Sequence, residues 1–252
     1  MLYVYGIVRS DAQKTFEIEP IPGGSVVQTG PADAGLAFVS SDIGDAKPRA
    51  SRANLLAHTR VLETVMKEAD VLPIRFGTMI ESDVDGGKVL ADNAEEFARA
   101  FAAIEGRTEI CLKINWPDGK VYDEIISRNG ILRRERDALS VSNPNQSHYA
   151  RIEFGKKVET AVAEVRAKDR DMIVNNLKDF ADQMVEGPIL DETMVVNLSF
   201  LVKRDQLATF DAAVERLDDL YDDRWTFRYV GPMPAFSFVD LKIDFAPEKE
   251  SA

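Results

Sequence analysis

The sequence predicts an α+β protein: two ferredoxin-like α+β domains with long connecting helices. Three observations lead there. Strand-like and helix-like segments alternate in two blocks, one on either side of residue 106, and each block must bury sheet against helix to find a core. Helical stretches much longer than ordinary loops lie within the second block. Finally, 252 residues with 45% hydrophobic and 29% charged side chains fit one large or two small globular domains and exclude wholesale disorder. The expected division is an N-terminal domain over 1–106 and a C-terminal one over 107–252, the latter holding the long helices and a short, charged, frayed tail.

The chain opens with residues 2–8, apolar on both faces as a buried strand should be. Residues 20–24 carry turn chemistry and 36–40 read as a short strand. Pro48 sits where a helix can begin, and beyond it Leu55, His58, Leu62, Val65 and Met66 recur at helical spacing. Asp70 closes that helix, and 72–76 is extended, its first turn fixed by Pro73. A second helix covers 91–104 with Phe97, Phe101 and Ile104 on one face, and Gly106 stops it.

Residues 109–116 alternate: Ile110, Leu112, Ile114 and Trp116 face one way, Glu109, Cys111, Lys113 and Asn115 the other. That is a half-buried strand. Pro117-Asp118-Gly119 turns the chain into a helical stretch reaching about Leu139, which Ser142-Asn143-Pro144-Asn145 breaks. A long helix follows, carrying Val158, Val162, Val165, Met172, Leu177, Phe180 and Met184 along one drifting face until Gly187-Pro188. The last quarter reads as strand 194–202, helix 205–221, strand 225–230 and strand 236–241. Leu207, Phe210, Val214, Leu217 and Tyr221 step by three and four, and Asp205 is placed to cap that helix.

A formal net charge of −12 repels phosphate backbones and anionic lipid heads, so neither nucleic acid nor membrane is an expected partner. The one dense basic stretch, 128–136, reads as a solvated helix face. Cys111 is the only cysteine, which excludes intrachain disulfides and cysteine-based metal clusters. The N-terminus lacks a basic n-region, and no apolar run approaches the roughly 20 residues that span a bilayer. The expected compartment is the cytoplasm.

Candidate catalytic residues are few. His58 lies on the apolar face of its helix, where a core histidine with a satisfied hydrogen bond is a better reading than a base or ligand. The only other histidine is His148, so no pair stands at metal-ligand spacing. Arg75 is turned away from Ile74 and Phe76 and is expected to reach Glu63 or Glu81 in a bidentate structural bridge, or else a partner chain. Gly77 fits a position needing positive φ. Glu81, Asp83, Asp85 and Gly86 echo the first positions of a calcium loop, but Lys88 and Asp92 break the pattern and an acidic surface turn fits better. Gly23-Gly24 and Gly86-Gly87 lack a phosphate-loop continuation. Neighbouring carboxylates such as Asp218-Asp219 diverge by about 100° on a helix and make poor acid/base pairs. No catalytic, cofactor-binding or metal-binding residue is assigned.

Two segments at opposite ends of the chain stand apart: Leu72-Pro73-Ile74-Arg75-Phe76-Gly77-Thr78, following the helix with His58, and Gly231-Pro232-Met233-Pro234-Ala235-Phe236-Ser237-Phe238-Val239. In this order they resemble the GvpL/GvpF family of gas vesicle proteins, with a resemblance running from Tyr3-Val4-Tyr5-Gly6 to Val239. Members often read GPWPPYSF in the second segment, so Met233, Ala235 and Phe236 mark where this chain departs. The resemblance implies two α+β domains and a minor shell component or assembly factor of gas vesicles. It implies binding to the small hydrophobic shell protein GvpA and to other gas vesicle proteins, a gas vesicle location, no cofactor and no enzymatic activity. It also makes the two segments (Leu72, Pro73, Arg75, Phe76, Gly77 and Thr78; Gly231, Pro232, Pro234, Phe236 and Phe238) an expected interface, with His58 structural. The competing reading is a small-molecule enzyme or ligand-binding regulator on ferredoxin-like domains, a fold that hosts many functions. A pocket in which His58, Arg75 and carboxylates converge would favour that reading. An apolar groove without convergent polar groups would favour the first.

Overall fold

β1 (Leu2–Arg9) is the spine of the first sheet. The computed structural model describes residues 1–10, 13–141, 148–241 and 243. β1 pairs antiparallel with β4 (Leu36–Asp42), β5 (Val71–Pro73) and β6 (Met79–Ile80). With β2 (Thr15–Phe16) and β3 (Val27–Asp33) the order is β2-β3-β4-β1-β5. Tyr3, Tyr5 and Val8 of β1 share a buried cluster with Val61, Leu62 and Val65 of α1 (Arg52–Met66), which is why the strand reads as apolar and aromatic throughout. α1 begins later than Pro48, at Ser51, whose side chain accepts from the Asn54 amide. Asp70 does not close the helix; its carboxylate accepts from the Gly106 amide.

The sequence reading has neither β2 nor β3. Gly30-Pro31 interrupts β3 and reads as a breaker, yet a register shift between Thr29 and Ala32 absorbs it. The expected acidic turn at 81–86 is instead the start of a helix, α2 (Asp83–Asp92), capped by Ser82. Gly86 belongs there for packing: an added Cβ would stand 2.1 Å from Pro31. α3 (Ala94–Ile104) follows after a break at Asn93, so the single expected helix over 91–104 is the end of one and all of another.

The second sheet holds β7 (Arg107–Asn115), β8 (Gln183–Glu186), β9 (Met194–Lys203) and β10 (Thr226–Met233) in the order β10-β7-β9-β8. First and third strands lie at the centre, second and fourth outside, and helices separate first from second and third from fourth. That is the split βαβ arrangement of ferredoxin-like sheets. The first sheet departs from it, because β1 reaches its neighbour β4 through hairpin strands with no intervening helix. The helices of the second block are α4 (Lys120–Arg128), α5 (Gly130–Ser140), α6 (His148–Leu177) and α7 (Leu207–Tyr221). Asn129 divides the expected stretch to Leu139, its side chain capping α5. The expected break at 142–145 lies outside the described residues.

α6 ends at Leu177. Phe180 falls in a single 3-10 turn and Met184 in β8, an exposed edge strand that pairs with β9. Asp205 does not cap α7; it sits in a 3-10 turn over Arg204–Gln206. The expected strand over 236–241 is absent, and residues 236–238 form a turn.

By its contacts the chain forms two compact units: Met1–Glu109 with the segment from Gly231 onward, and Ile110–Val230. The sequence division at 106 gave that last segment to the second domain. It belongs with the first because its polar atoms find partners there: Thr108 Oγ1 donates to the Met233 carbonyl at 3.0 Å. The second unit's core joins Ile110, Leu112 and Ile114 of β7 to Phe200 of β9, Phe210 of α7 and Ile173 of α6. A buried carboxylate pins it. Asp169, 2% exposed, accepts from Trp116 Nε1 at 2.7 Å, Trp225 Nε1 at 3.2 Å and Arg224 Nε and Nη2 at 3.0 and 2.8 Å. Arg224 also donates to Glu124 at 2.7 Å, so the buried charge is paired and fully hydrogen-bonded, as burial requires.

Candidate partner-binding cleft

Within the first unit, α1, the turn after β5 and the C-terminal segment surround a cleft of about 240 Å³. The turn is held by a relay of hydrogen bonds that consumes every polar atom of His58. The Ile74 carbonyl, 3.1 Å away, can only accept, so Nε2 carries the proton; Nδ1 then accepts from the Tyr3 hydroxyl at 2.9 Å. Tyr3 in turn accepts from the Gly77 amide at 3.3 Å. Gly77 closes the turn at φ 90°, a conformation L side chains rarely adopt. His58 is 3% exposed, and burial lowers its pKa to about 4, leaving the ring neutral. Burial likewise pushes the Tyr3 hydroxyl pKa up. Phe76 packs edge-on against Tyr3 and His58 with centroids 5.9 and 5.8 Å away. A histidine so tied can neither take a proton near neutrality nor bind a metal without dismantling the turn.

Arg75 does the opposite of what its apolar neighbours suggest. Its side chain is 88% exposed and its Nη2 stands 3.6 Å from Asp240, itself 67% exposed. The expected bridge to Glu63 or Glu81 is absent, because the turn that buries Ile74 and half-buries Phe76 points the intervening residue outward. Leu72 and Pro73 are buried in β5, and Thr78 Oγ1 donates to the Arg75 carbonyl at 2.9 Å, stiffening the turn.

The C-terminal segment supplies the facing lip. Pro234 and Ala235 are buried, Phe236 is 38% exposed, and Phe236 and Val239 line the cleft opposite Leu55, Thr59 and Pro73. The anchor is a residue that the alternation of β7 had placed on the solvent side. Glu109 is 2% exposed; its Oε2 accepts from the Ser237 amide at 2.7 Å and its Oε1 from the Ser237 hydroxyl at 2.6 Å. Gly231 and Pro232 are exposed on β10 and Phe238 is half-buried, all away from the lining. The structure therefore brings Pro73, Arg75, Phe76, Phe236 and His58 together, and leaves Leu72, Gly77, Thr78, Gly231, Pro232 and Phe238 as framework. The sequence reading names Tyr3, Glu109 and Ser237 but gives none of them a part in the site. Glu109 carried no warning, since its burial comes from a partner 128 residues away.

Among the described residues no carboxylate lines the cleft, and its volume falls below the roughly 300–1,000 Å³ of small-molecule sites. Its lips are apolar, with Leu55 45% exposed. Such a surface suits one or two apolar side chains of a partner better than an enclosed substrate.

A family model described as "Gas vesicle synthesis protein GvpL/GvpF" matches residues 1–240. The chain belongs to the GvpL/GvpF family. Among its relatives is gas vesicle protein F of Microcystis aeruginosa (strain PCC 7806), 28% identical over 250 residues, 95% of this chain and 98% of the relative. Gas vesicle protein F of Streptomyces sp. (strain CB03234) is 29% identical over 244 residues, covering 94% and 99% of the two chains. The crystal structure of gas vesicle protein GvpF from Microcystis aeruginosa matches with a TM-score of 0.78 and 25% identity over 95% of this chain and 99% of that one. That of GvpF from Anabaena sp. PCC7120 matches with a TM-score of 0.83 at 24% identity, over 95% and 98% of the chains, and so shares the fold. Both segments that suggested the family lie inside the matched range, and they meet at the cleft. Among the described residues no helix is long and apolar enough to cross a membrane.

Proposed function

We propose that this gas vesicle protein is an assembly factor or minor shell component that binds the hydrophobic shell protein GvpA through the cleft between α1 and the C-terminal segment. The observation that carries the reading is the convergence of the two family segments, far apart in sequence, on one apolar-lipped cleft whose histidine is tied up internally. A shell protein that builds a gas-facing wall aggregates when its apolar surface is left free. A partner with a net charge of −12 can cover part of that surface and keep the complex dispersed in the cytoplasm until it joins the vesicle. The enzyme or ligand-regulator reading loses ground on the same geometry, since His58 is locked by its two hydrogen bonds and Arg75, 88% exposed, pairs with the exposed Asp240 instead of a group in the cleft.

The test is titration of purified shell protein with the full chain and with a Leu55→Ser, Phe236→Ser variant, read as suppression of light scattering. The variant should bind at least about tenfold more weakly. Binding unchanged in a variant with intact circular dichroism overturns the cleft. A gene deletion that leaves buoyant vesicles abundant overturns the assembly role itself.

A further inference from the structure

A second surface, on the second unit, borders the core, with Val162 in it and Tyr122 and Val158 packed against it. A groove of about 520 Å³ runs beside α6. Val158, Val162 and Ala163 form its floor, Tyr122 of α4 one wall and Ile189, in the connection from β8 to β9, another. The α6 positions recur at helical spacing, and Ile152, 45% exposed, lies on the same stripe one turn earlier. From Ile152 to Arg166 the stripe runs roughly 21 Å at 1.5 Å per residue. Ile189 and Leu190 are 45% and 60% exposed beside it.

Gly155 sharpens the case. It sits inside a 30-residue helix, where glycine is the poorest helix former after proline. A Cβ built there meets nothing within 4 Å, so neither packing nor a special backbone conformation requires it in this chain. What glycine does provide is a bare stretch of helix backbone that another backbone can approach closely.

The rim is acidic. Glu159, Asp191 and Glu192 line the groove against one cation, Arg166. The Arg166 guanidinium donates to the Met194 and Glu192 carbonyls, both at 2.9 Å, and covers the Trp116 ring at 5.2 Å, so two of its donors are taken by backbone carbonyls. Asp191 accepts from the Thr193 hydroxyl and the Thr193 and Met194 amides, bonds that hold its carboxyl below the usual carboxylate range. An apolar floor, an acidic rim and a helix-length run are complementary to one kind of occupant.

We propose that this groove docks an amphipathic helix of a partner protein, with small and apolar residues facing Gly155, Val158 and Val162 and Lys or Arg along its edges. The docking follows the helix-in-groove mode, with apolar anchors at i, i+3 and i+4 and edge charges setting specificity and encounter rate. It is independent of the cleft, and the probe below does not involve the shell protein, so either proposal can fail alone.

The probe is a fluorescein-labelled synthetic peptide of about four helical turns, Ala and Leu on one face and Lys on the flanks, with a twin carrying Glu for Lys. Anisotropy titrations with the full chain should show the Lys peptide binding at least about tenfold more tightly than its twin. Gly155→Leu fills the groove and improves the helix, so it should keep or raise the Tm while weakening binding about tenfold. Ala163→Phe is the second groove-filling variant and should weaken binding alike. Glu159→Lys should weaken binding about fivefold at low salt, whereas Asp219→Lys, the same charge change on the exposed face of α7, should leave it within about twofold. Wild-type binding by folded Gly155→Leu and Ala163→Phe overturns the proposal. So does an Asp219→Lys effect equal to that of Glu159→Lys, which marks non-specific attraction to an acidic chain.

Discussion

Replacing Glu109 with Ala should release the lip of the cleft without unfolding the sheet beneath it. The carboxylate is 2% exposed and accepts two hydrogen bonds from Ser237, at 2.7 and 2.6 Å. Hydrogen bonds to an ionised group contribute about 1.5–3 kcal/mol each. Losing both costs about 3–6 kcal/mol, and removing a buried charge recovers part of that, leaving about 3 kcal/mol against docking of the segment. Glu109→Gln keeps the shape and one acceptor, so about half the loss is expected there. The assay is native-state hydrogen exchange at the Ser237 amide, where 3 kcal/mol corresponds to a roughly 150-fold fall in protection. Shell-protein binding should weaken with it, because Phe236 and Val239 leave the cleft together. Protection within about threefold of wild type, with the Tm unchanged, would show that the segment is held by something other than this carboxylate.

Asp169→Ala takes from the half-buried Arg224 one of its two carboxylate partners and removes the acceptor of two indole N–H groups; urea unfolding should show a loss of about 3–5 kcal/mol, and a loss under about 1 kcal/mol would deny the network its role. His58 has a folded pKa of about 4 against an ordinary 6.5, so between those values the unfolded chain binds a proton that the folded chain does not. Stability should therefore fall as pH drops through that window, by up to about 3 kcal/mol, and the wild-type minus His58→Gln difference in chemical denaturation should carry that slope. Arg75→Ala removes an exposed pair and should change unfolding by less than about 0.5 kcal/mol while weakening shell-protein binding; the reverse pattern would make Arg75 structural.

The strongly patterned elements were legible because periodicity decides them. β1, β7 and β9 show their burial in the sequence, and α7 shows its apolar stripe. β3 was hidden by Gly30-Pro31, which a bulge accommodates, and β8 by its exposure on a sheet edge, where no apolar alternation is needed. α2 was hidden by Gly86-Gly87, read as a turn although Ser82 stands where an N-cap should. At the cleft, the segment from Leu72 to Thr78 was legible as a unit, but the direction of Arg75 was not, because residues 74–78 between β5 and β6 are irregular and strand alternation does not govern them. Glu109 and Ser237 show the limit most clearly: local pattern assigns the carboxylate to solvent, and only a distant segment reverses it.

Residues 110–230 are an insertion in the covalent path of the first unit, whose two parts lie before and after it. A ribosome making this chain releases α1 and the β5 turn early, but the lip with Phe236 emerges only after the whole inserted unit. The cleft is thus a late product of synthesis. A chain cut short before Gly231 lacks the segment carrying Phe236 and Val239, and with it one lip of the cleft. Contacts that close over so long an intervening stretch also form slowly, which gives the inserted unit time to fold before the surface becomes competent. Topology alone therefore makes closure of the cleft wait on synthesis of the inserted unit.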